Sequence, residues 1–233
     1  MNVLAIDSSS LVMGVAIANE KGVLGEMMTN LKKNHAVRLM PAIEQLLSEV
    51  DTPPQSLNRI VVAEGPGSYT GVRIGVTIAK TMAWSLGIDL VGISTLEVLA
   101  QNGRFFNGKI VPLFDARRDR VYTGLYRSEN GRVLNEKSDR IMPLKEWVQA
   151  LTETGGSYLF LGNDLDKHWE NIQSIMGEQA IKPDLTMNDP HPAELALLGM
   201  RREPVKNIHE FTPQYLQMAE AEAKWLEKHE GSR

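Results

Sequence analysis

The stretch Ile60-Val61-Val62-Ala63-Glu64-Gly65-Pro66-Gly67-Ser68-Tyr69-Thr70-Gly71 carries the first decision about the fold. Its opening apolar, β-branched run reads as a short buried strand. The loop that follows is rich in glycine, and a long helix to about Leu86 continues from it. Strand, glycine loop and helix in that order make an α/β unit. Upstream, Leu39, Met40, Ile43, Leu46, Leu47 and Val50 fall three or four apart, the spacing of one helical face, and Asp51-Thr52-Pro53-Pro54 ends that helix. Before it lies a meander. Val3-Leu4-Ala5-Ile6 runs into Asp7-Ser8-Ser9-Ser10, residues 12–18 form a second strand, and Asn19-Glu20-Lys21-Gly22 turns into a third at Val23-Leu24.

Downstream, residues 88–93 supply another strand, and Ser94-Thr95-Leu96-Glu97 has the form of a capping box opening a helix over 96–101. The chain then repeats its opening. Ile110-Val111-Pro112-Leu113-Phe114 ends at Asp115, a strand over 121–126 follows, and Ser128-Glu129-Asn130-Gly131 closes the hairpin as Asn19 to Gly22 closed the first. Two lobes, 1–104 and 105–233, built on one duplicated scheme are expected, with chance likeness of two meanders as the plainer alternative. Helical patterns at 144–151 and 165–176 flank a strand at Tyr158-Leu159-Phe160-Leu161, which points to mixed sheets in the second lobe. Pro190-His191-Pro192 starts a further helix, and a charged one over 217–229 ends the chain, expected to pack back on the first lobe.

Composition narrows the function. The 233 residues are 42% hydrophobic and 23% charged, a globular balance with room for two cores. A net charge of −4 lacks the basic excess of a protein that grips nucleic acid alone, so any RNA would be held mainly by a partner. The absence of cysteine excludes disulfides, thiolate metal sites and cysteine nucleophiles. Apolar runs too short for a bilayer, and an N-terminus without signal features, set the expectation of a cytoplasmic protein with no membrane contact.

Two loops could carry chemistry. Free amides at a helix N-terminus after a glycine turn favour anions, so Asp7, Ser8, Ser9, Gly65, Gly67, Ser68 and Thr70 form a candidate phosphate or nucleotide site. The spacing matches neither the Walker nor the dinucleotide pattern, and a sharp structural turn is the plainer reading. Asp7 and Asp115 could serve as a metal ligand or general base, or merely brace turns. None of the 5 histidines forms a local metal pair, and no nucleophile elbow is present, so no metal, cofactor or catalytic residue is assigned. Arg117, Arg118 and Arg120 could touch phosphate or form a solvated turn. Along the glycine-loop helix, Gly71, Gly75, Ala79 and Ala83 make a ridge for close approach. With the earlier helix, it offers Leu39, Met40, Ile43, Leu47, Arg73, Ile74 and Ile78 either as core or as a two-helix partner surface.

Leu4-Ala5-Ile6-Asp7-Ser8-Ser9, the long motif from Gly65 to Gly75, Asp115-Ala116-Arg117 and Pro213-Gln214-Tyr215-Leu216 together resemble the TsaB (YeaZ) family along the whole chain. That resemblance implies a two-lobed actin-like (ASKHA, ribonuclease H-like) α/β fold with duplicated mixed sheets flanked by helices. It also implies a non-catalytic subunit that pairs through the two helices with its larger paralogue TsaD. The ATPase TsaE would dock on that pair, and a homodimer would form when TsaD is absent. The complex would transfer threonylcarbamoyl to the adenosine beside the anticodon of tRNAs reading codons that begin with adenine. Thr95 and Leu99 stand where TsaD-like sequences carry a histidine pair, and leucine ligates no metal. A stand-alone actin-fold ATPase or phosphotransferase, and less favourably a TsaD-like metallopeptidase, are the alternatives.

Overall fold

The computed structural model describes residues 1–31 and 34–217. Strands β1 (Val3–Asp7), β2 (Val12–Asn19) and β3 (Gly22–Asn30) form the meander. β3 runs well past Val23 and Leu24, through a half-exposed remainder, Gly25 to Asn30, that shows no apolar alternation in the sequence. Helix α1 (His35–Glu49) is capped by the Asn34 side chain, which accepts from the Ala36 amide. β4 (Arg59–Gly65), α2 (Tyr69–Leu86) and β5 (Asp89–Ser94) complete the first unit. Gly87, at φ 65°, ends α2 in the left-handed conformation that glycine adopts without penalty.

Helix α3 (Thr95–Ala100) leads into β6 (Lys109–Asp115), β7 (Arg120–Glu129), β8 (Arg132–Pro143), α4 (Leu144–Thr152), β9 (Tyr158–Leu161), α5 (Leu165–Met176) and β10 (Ala180–Ile181). The two five-stranded sheets have the orders β3-β2-β1-β4-β5 and β10-β9-β6-β7-β8. In each, the first strand lies centrally, antiparallel to its hairpin partner and parallel to the strand after the next helix. Two coincidental meanders would not also share their parallel crossovers, so the topology is that of a duplicated unit. The sequence pattern did not mark β8, an edge strand whose polar residues face solvent and hide the alternation.

Apolar burial explains the layers. On one face of the first sheet, Leu39, Ile43 and Leu46 of α1 and Val72, Val76 and Ala79 of α2 pack against Leu4, Ile6, Ile17 and Val62. On the other face, Leu195 and Ala196 of α6 (Pro192–Met200) and Val98 of α3 meet Ala5, Val61 and Ile93. α6 belongs to the stretch counted with the second lobe, yet it lies on the first sheet. A Cβ on Gly199 would sit 2.2 Å from Val61, so only glycine permits this approach. Arg59 locks it in place, donating to the Gly199 and Arg202 carbonyls, each at 2.9 Å. α4 and α5 cover the second sheet with Trp147, Leu151 and Ile172, while Leu96 and Leu99 of α3 fill its inner face. α3 is thus shared by both lobes. Of the charged segment 217–229, only Gln217 falls within the described residues, and no described helix is long and apolar enough to cross a membrane.

Candidate functional site

The glycine loop and the β1–β2 loop close directly on each other. Ser68 donates its amide to the Ser9 carbonyl at 2.6 Å, and Ser8 donates its hydroxyl to the Gly71 carbonyl at 2.8 Å. Thr95 donates to the Ser9 hydroxyl at 3.0 Å. A Cβ on Gly67 or Gly71 would lie 2.1 Å from the carbonyl oxygen of Ser9 or Ser8, respectively. The glycines therefore admit a neighbouring backbone. This corrects the expectation of an open phosphate cradle, since the Ser68 amide is taken by Ser9 and the Gly71 amide by the Ser68 side chain. Of the residues assigned to that cradle, Ser9, Gly67, Ser68 and Thr70 line the cleft between the lobes, whereas Asp7, Ser8 and Gly65 do not.

Asp7 is fully buried beneath this junction and accepts from both the amide and the hydroxyl of Ser9 through Oδ1. Its Oδ2 has no hydrogen-bond partner among the described residues. Burial pushes its carboxyl up, against the Ser9 hydrogen bonds and the nearby His35. A sealed, charge-averse carboxyl is unsuited to act as a base in the cleft. Asp115, on the second lobe, braces a turn by accepting from the Arg117 amide at 2.9 Å, and it faces Lys167 at 3.4 Å and His168 at 3.6 Å. Partial burial disfavours its charge, but the Arg117 amide and the Lys167 ammonium outweigh that and hold it below its ordinary value.

The cleft measures about 850 Å³. Ser9, Ser10, His35 and the start of α2 form one wall; Arg117, Arg118, Arg120, Tyr122, Asn163 and Lys167 dominate the other. At the places where the resemblance expects a histidine pair, Thr95 is buried and hydrogen-bonded to Ser9, and Leu99 packs with Ile110 and Phe114.

The two helices need a correction as a surface. Leu39, Ile43 and Leu47 are core, at 0%, 1% and 6% exposure, because their stripe faces the sheet. Ile74 and Ile78 are half-buried at its margin. The outer face instead carries Val37 and Met40 on α1, at 68% and 45% exposure, with Arg73 and Trp84 on α2, the latter at 64%. The ridge of Gly71, Gly75, Ala79 and Ala83 is likewise turned inward, onto the first sheet and its loop. A strap that sequence reasoning missed runs along α2. Lys80 donates to the carbonyls of His209 and Phe211 at 3.0 and 2.6 Å, His209 meets the Trp84 ring edge at 5.9 Å, and Gln214 donates its amide to the Glu64 carbonyl at 2.8 Å. Tyr215 then packs on Tyr69 with ring centroids 5.2 Å apart, and Arg73 lies over Tyr69 from another side. This places the motif Pro213-Gln214-Tyr215-Leu216 against the glycine loop.

Sequence reasoning also missed an acidic junction between the lobes. Glu64, Glu97 and Asp139 are each pushed up chiefly by burial, with Arg202 the cation beside the glutamates and 2.6 Å from Glu97. Asp139 of β8 accepts from Ser94 at the end of β5 and from Tyr126 of β7 at 2.6 Å. No spacing in the chain marks this group, because its members are brought together only when the sheets meet through α3.

Two lobes of one strand order, helices on both faces of each sheet and a cleft between them define an actin-like α/β protein. A family model described as "TsaD: tRNA N6-adenosine threonylcarbamoyltransferase" matches residues 16–225. The chain is 49% identical over 227 residues to the Bacillus subtilis protein named tRNA threonylcarbamoyladenosine biosynthesis protein TsaB, covering 97% of this chain and 99% of the relative. The chain belongs to the TsaB (YeaZ) family. Escherichia coli TsaB is 30% identical over 165 residues, covering 70% of this chain and 71% of the relative. The solved structure of YeaZ from Pseudomonas aeruginosa superposes with a TM-score of 0.79 at 26% identity, covering 92% of this chain and 99% of that one.

Proposed function

We propose that this chain is a non-catalytic subunit of tRNA threonylcarbamoyladenosine biosynthesis in the cytoplasm, docking on TsaD through the outer faces of α1 and α2. The place in the pathway rests on the near-full-length likeness to TsaB. The observation that carries the docking role is the outer faces themselves, where Val37 and Met40 of α1 and Tyr69, Arg73 and Trp84 of α2 stand exposed, the mix of apolar, aromatic and arginine side chains that anchors interfaces. TsaE joins the complex on that helix pair, tRNA is held through the complex, and a second copy of this chain takes the same face when TsaD is absent. A phosphotransferase would need an open phosphate cradle, and the two loops fill each other's space. A TsaD-like metallopeptidase would need ligands where Thr95 and Leu99 stand.

Met40→Glu should keep the melting temperature and lower affinity for TsaD by at least about tenfold, since an unpaired carboxylate at an interface costs several kcal/mol. In cells lacking the chromosomal copy, the variant should restore less threonylcarbamoyladenosine to bulk tRNA, read by mass spectrometry of digested RNA. Ile43→Glu, at a core position, should unfold the chain instead. A Met40→Glu protein that binds TsaD and restores the modification as wild type does would place the interface elsewhere.

A further inference from the structure

We propose that Lys80 is a positioning residue for partner docking: it holds the strap of residues 205–216 along α2, and the strap sets Tyr69, Arg73 and Trp84 in the pose that a partner meets. This rests on the docking face described above and adds a third element to it. The strap is tied near both ends through main chain, by the Val205 amide to the Leu90 carbonyl and by the Gln214 amide to the Glu64 carbonyl, each at 2.8 Å. Between these ties, Lys80 grips it from α2. Its ammonium donates to the carbonyls of His209 and Phe211, and no carboxylate pairs with it among the described residues. A half-buried cation engaged wholly with main-chain carbonyls fixes backbone, because charge-assisted hydrogen bonds are about twice as strong as neutral ones.

The backbone fixed in this way carries the neighbours of the α2 side chains. His209 meets the Trp84 ring edge toward one end of α2, and Tyr215 packs on Tyr69 at the other, two stations about 22 Å apart at about 1.5 Å per residue. Arg73 completes the second station, its guanidinium 5.1 Å from the Tyr69 ring centroid and donating to the Tyr69 hydroxyl at 3.0 Å. Tyr69 and Tyr215 are each 45% exposed, so the stack leaves ring surface in solvent instead of sealing it as core. Aromatic and arginine side chains already held in one pose lose little freedom on binding, which favours affinity. Val205, Ile208 and Phe211 pack on the core of the first lobe, so the strap has an anchoring side and an outward one. Without the Lys80 grip both end ties persist. The middle is then free, Trp84 loses its neighbour, and Tyr215 is left beside a single main-chain bond.

The test is calorimetric titration of the full chain with purified TsaD, alongside hydrogen exchange of the free chain. Lys80→Met should speed exchange of the strap amides and leave β1 and β4 protected. It should weaken TsaD binding at least about tenfold, the loss expected when the docking pose is populated about one time in ten. Lys80→Arg, which returns a cationic donor, should bring affinity back to within about threefold of wild type. Tyr215→Ala, at the exposed end of the strap, should weaken binding with an unchanged melt, and it decides the matter if Lys80→Met does not fold. Lys145→Met, exposed on α4, should change nothing. Strap amides that stay protected in Lys80→Met, wild-type affinity in Lys80→Met or Tyr215→Ala, or no recovery in Lys80→Arg overturns the proposal. Loss of self-association with TsaD affinity intact would assign the surface to a second copy of this chain and overturn it equally. Met40→Glu separates the two readings: weakening there alone keeps docking on the helices and removes the strap, whereas weakening in the strap variants alone keeps the strap and removes α1.

Discussion

Substituting Gly71 with alanine tests the contact between the two loops most directly. The added Cβ would sit 2.1 Å from the Ser8 carbonyl oxygen, more than about 1 Å inside van der Waals contact. The obstacle is backbone on both sides, so relief requires the β1–β2 loop to lift from α2. Overpacking of this kind costs up to about 3 kcal/mol. Lifting the loop also breaks the buried bond from the Ser8 hydroxyl to the Gly71 carbonyl, at about 1–3 kcal/mol for groups left unpaired. Alanine's better helix propensity returns at most about 1 kcal/mol. The expected net loss is about 3–5 kcal/mol, or about 6–20 °C in Tm for a chain of this size. Thermal and urea unfolding followed by circular dichroism reads it, with Thr77→Ala on the exposed side of α2 as a control expected within about 0.5 kcal/mol of wild type. A Gly71→Ala protein that melts with wild type would show that the loops do not meet as described.

The acidic junction sets a pH dependence. Because burial raises Glu64, Glu97 and Asp139 above their unfolded values, their contribution is full below the unfolded carboxylate range and is lost as pH rises through the folded values. Glu64→Gln should therefore stabilise the fold at neutral pH and approach wild type under mildly acid conditions; a stability difference that is flat with pH in urea titrations would refute this. Arg59→Met removes the donor that holds α6 on the first sheet and strands the Gly199 and Arg202 carbonyls, so a loss of about 2–4 kcal/mol is expected. Little of that comes from the ion pair with Asp89, whose side chain is 48% exposed. Hydrogen exchange should show α6 amides opening first in this variant, and protection equal to wild type would count against the lock.

Local pattern alone specified most of the architecture. The continuous apolar runs at Val3 to Ile6 and Ile110 to Phe114, the turn chemistry after each, and the strand, glycine loop and helix around Gly65 all correspond to elements that form in place, because backbone preference and turn residues act over a few neighbours. The repeated hairpin scheme foretold two sheets of one topology for the same reason. Polar edge strand β8 and the strap after Val205 escaped notice, since neither carries a period of its own. What covers an apolar face was decided only in the folded chain. Leu39 and Met40 are both apolar and belong to one helix, yet one is sealed under the sheet and the other stands in solvent, because the rotation of α1 is set by the sheet beneath it. The glycines of the loop likewise announce a close approach without naming what approaches, and here it is the backbone of Ser8 and Ser9. Arg117 and Arg120 could be read only as a basic turn until the second lobe placed them across a cleft from α2, since distances between lobes depend on packing through α3 and leave no trace in the spacing of residues along the chain.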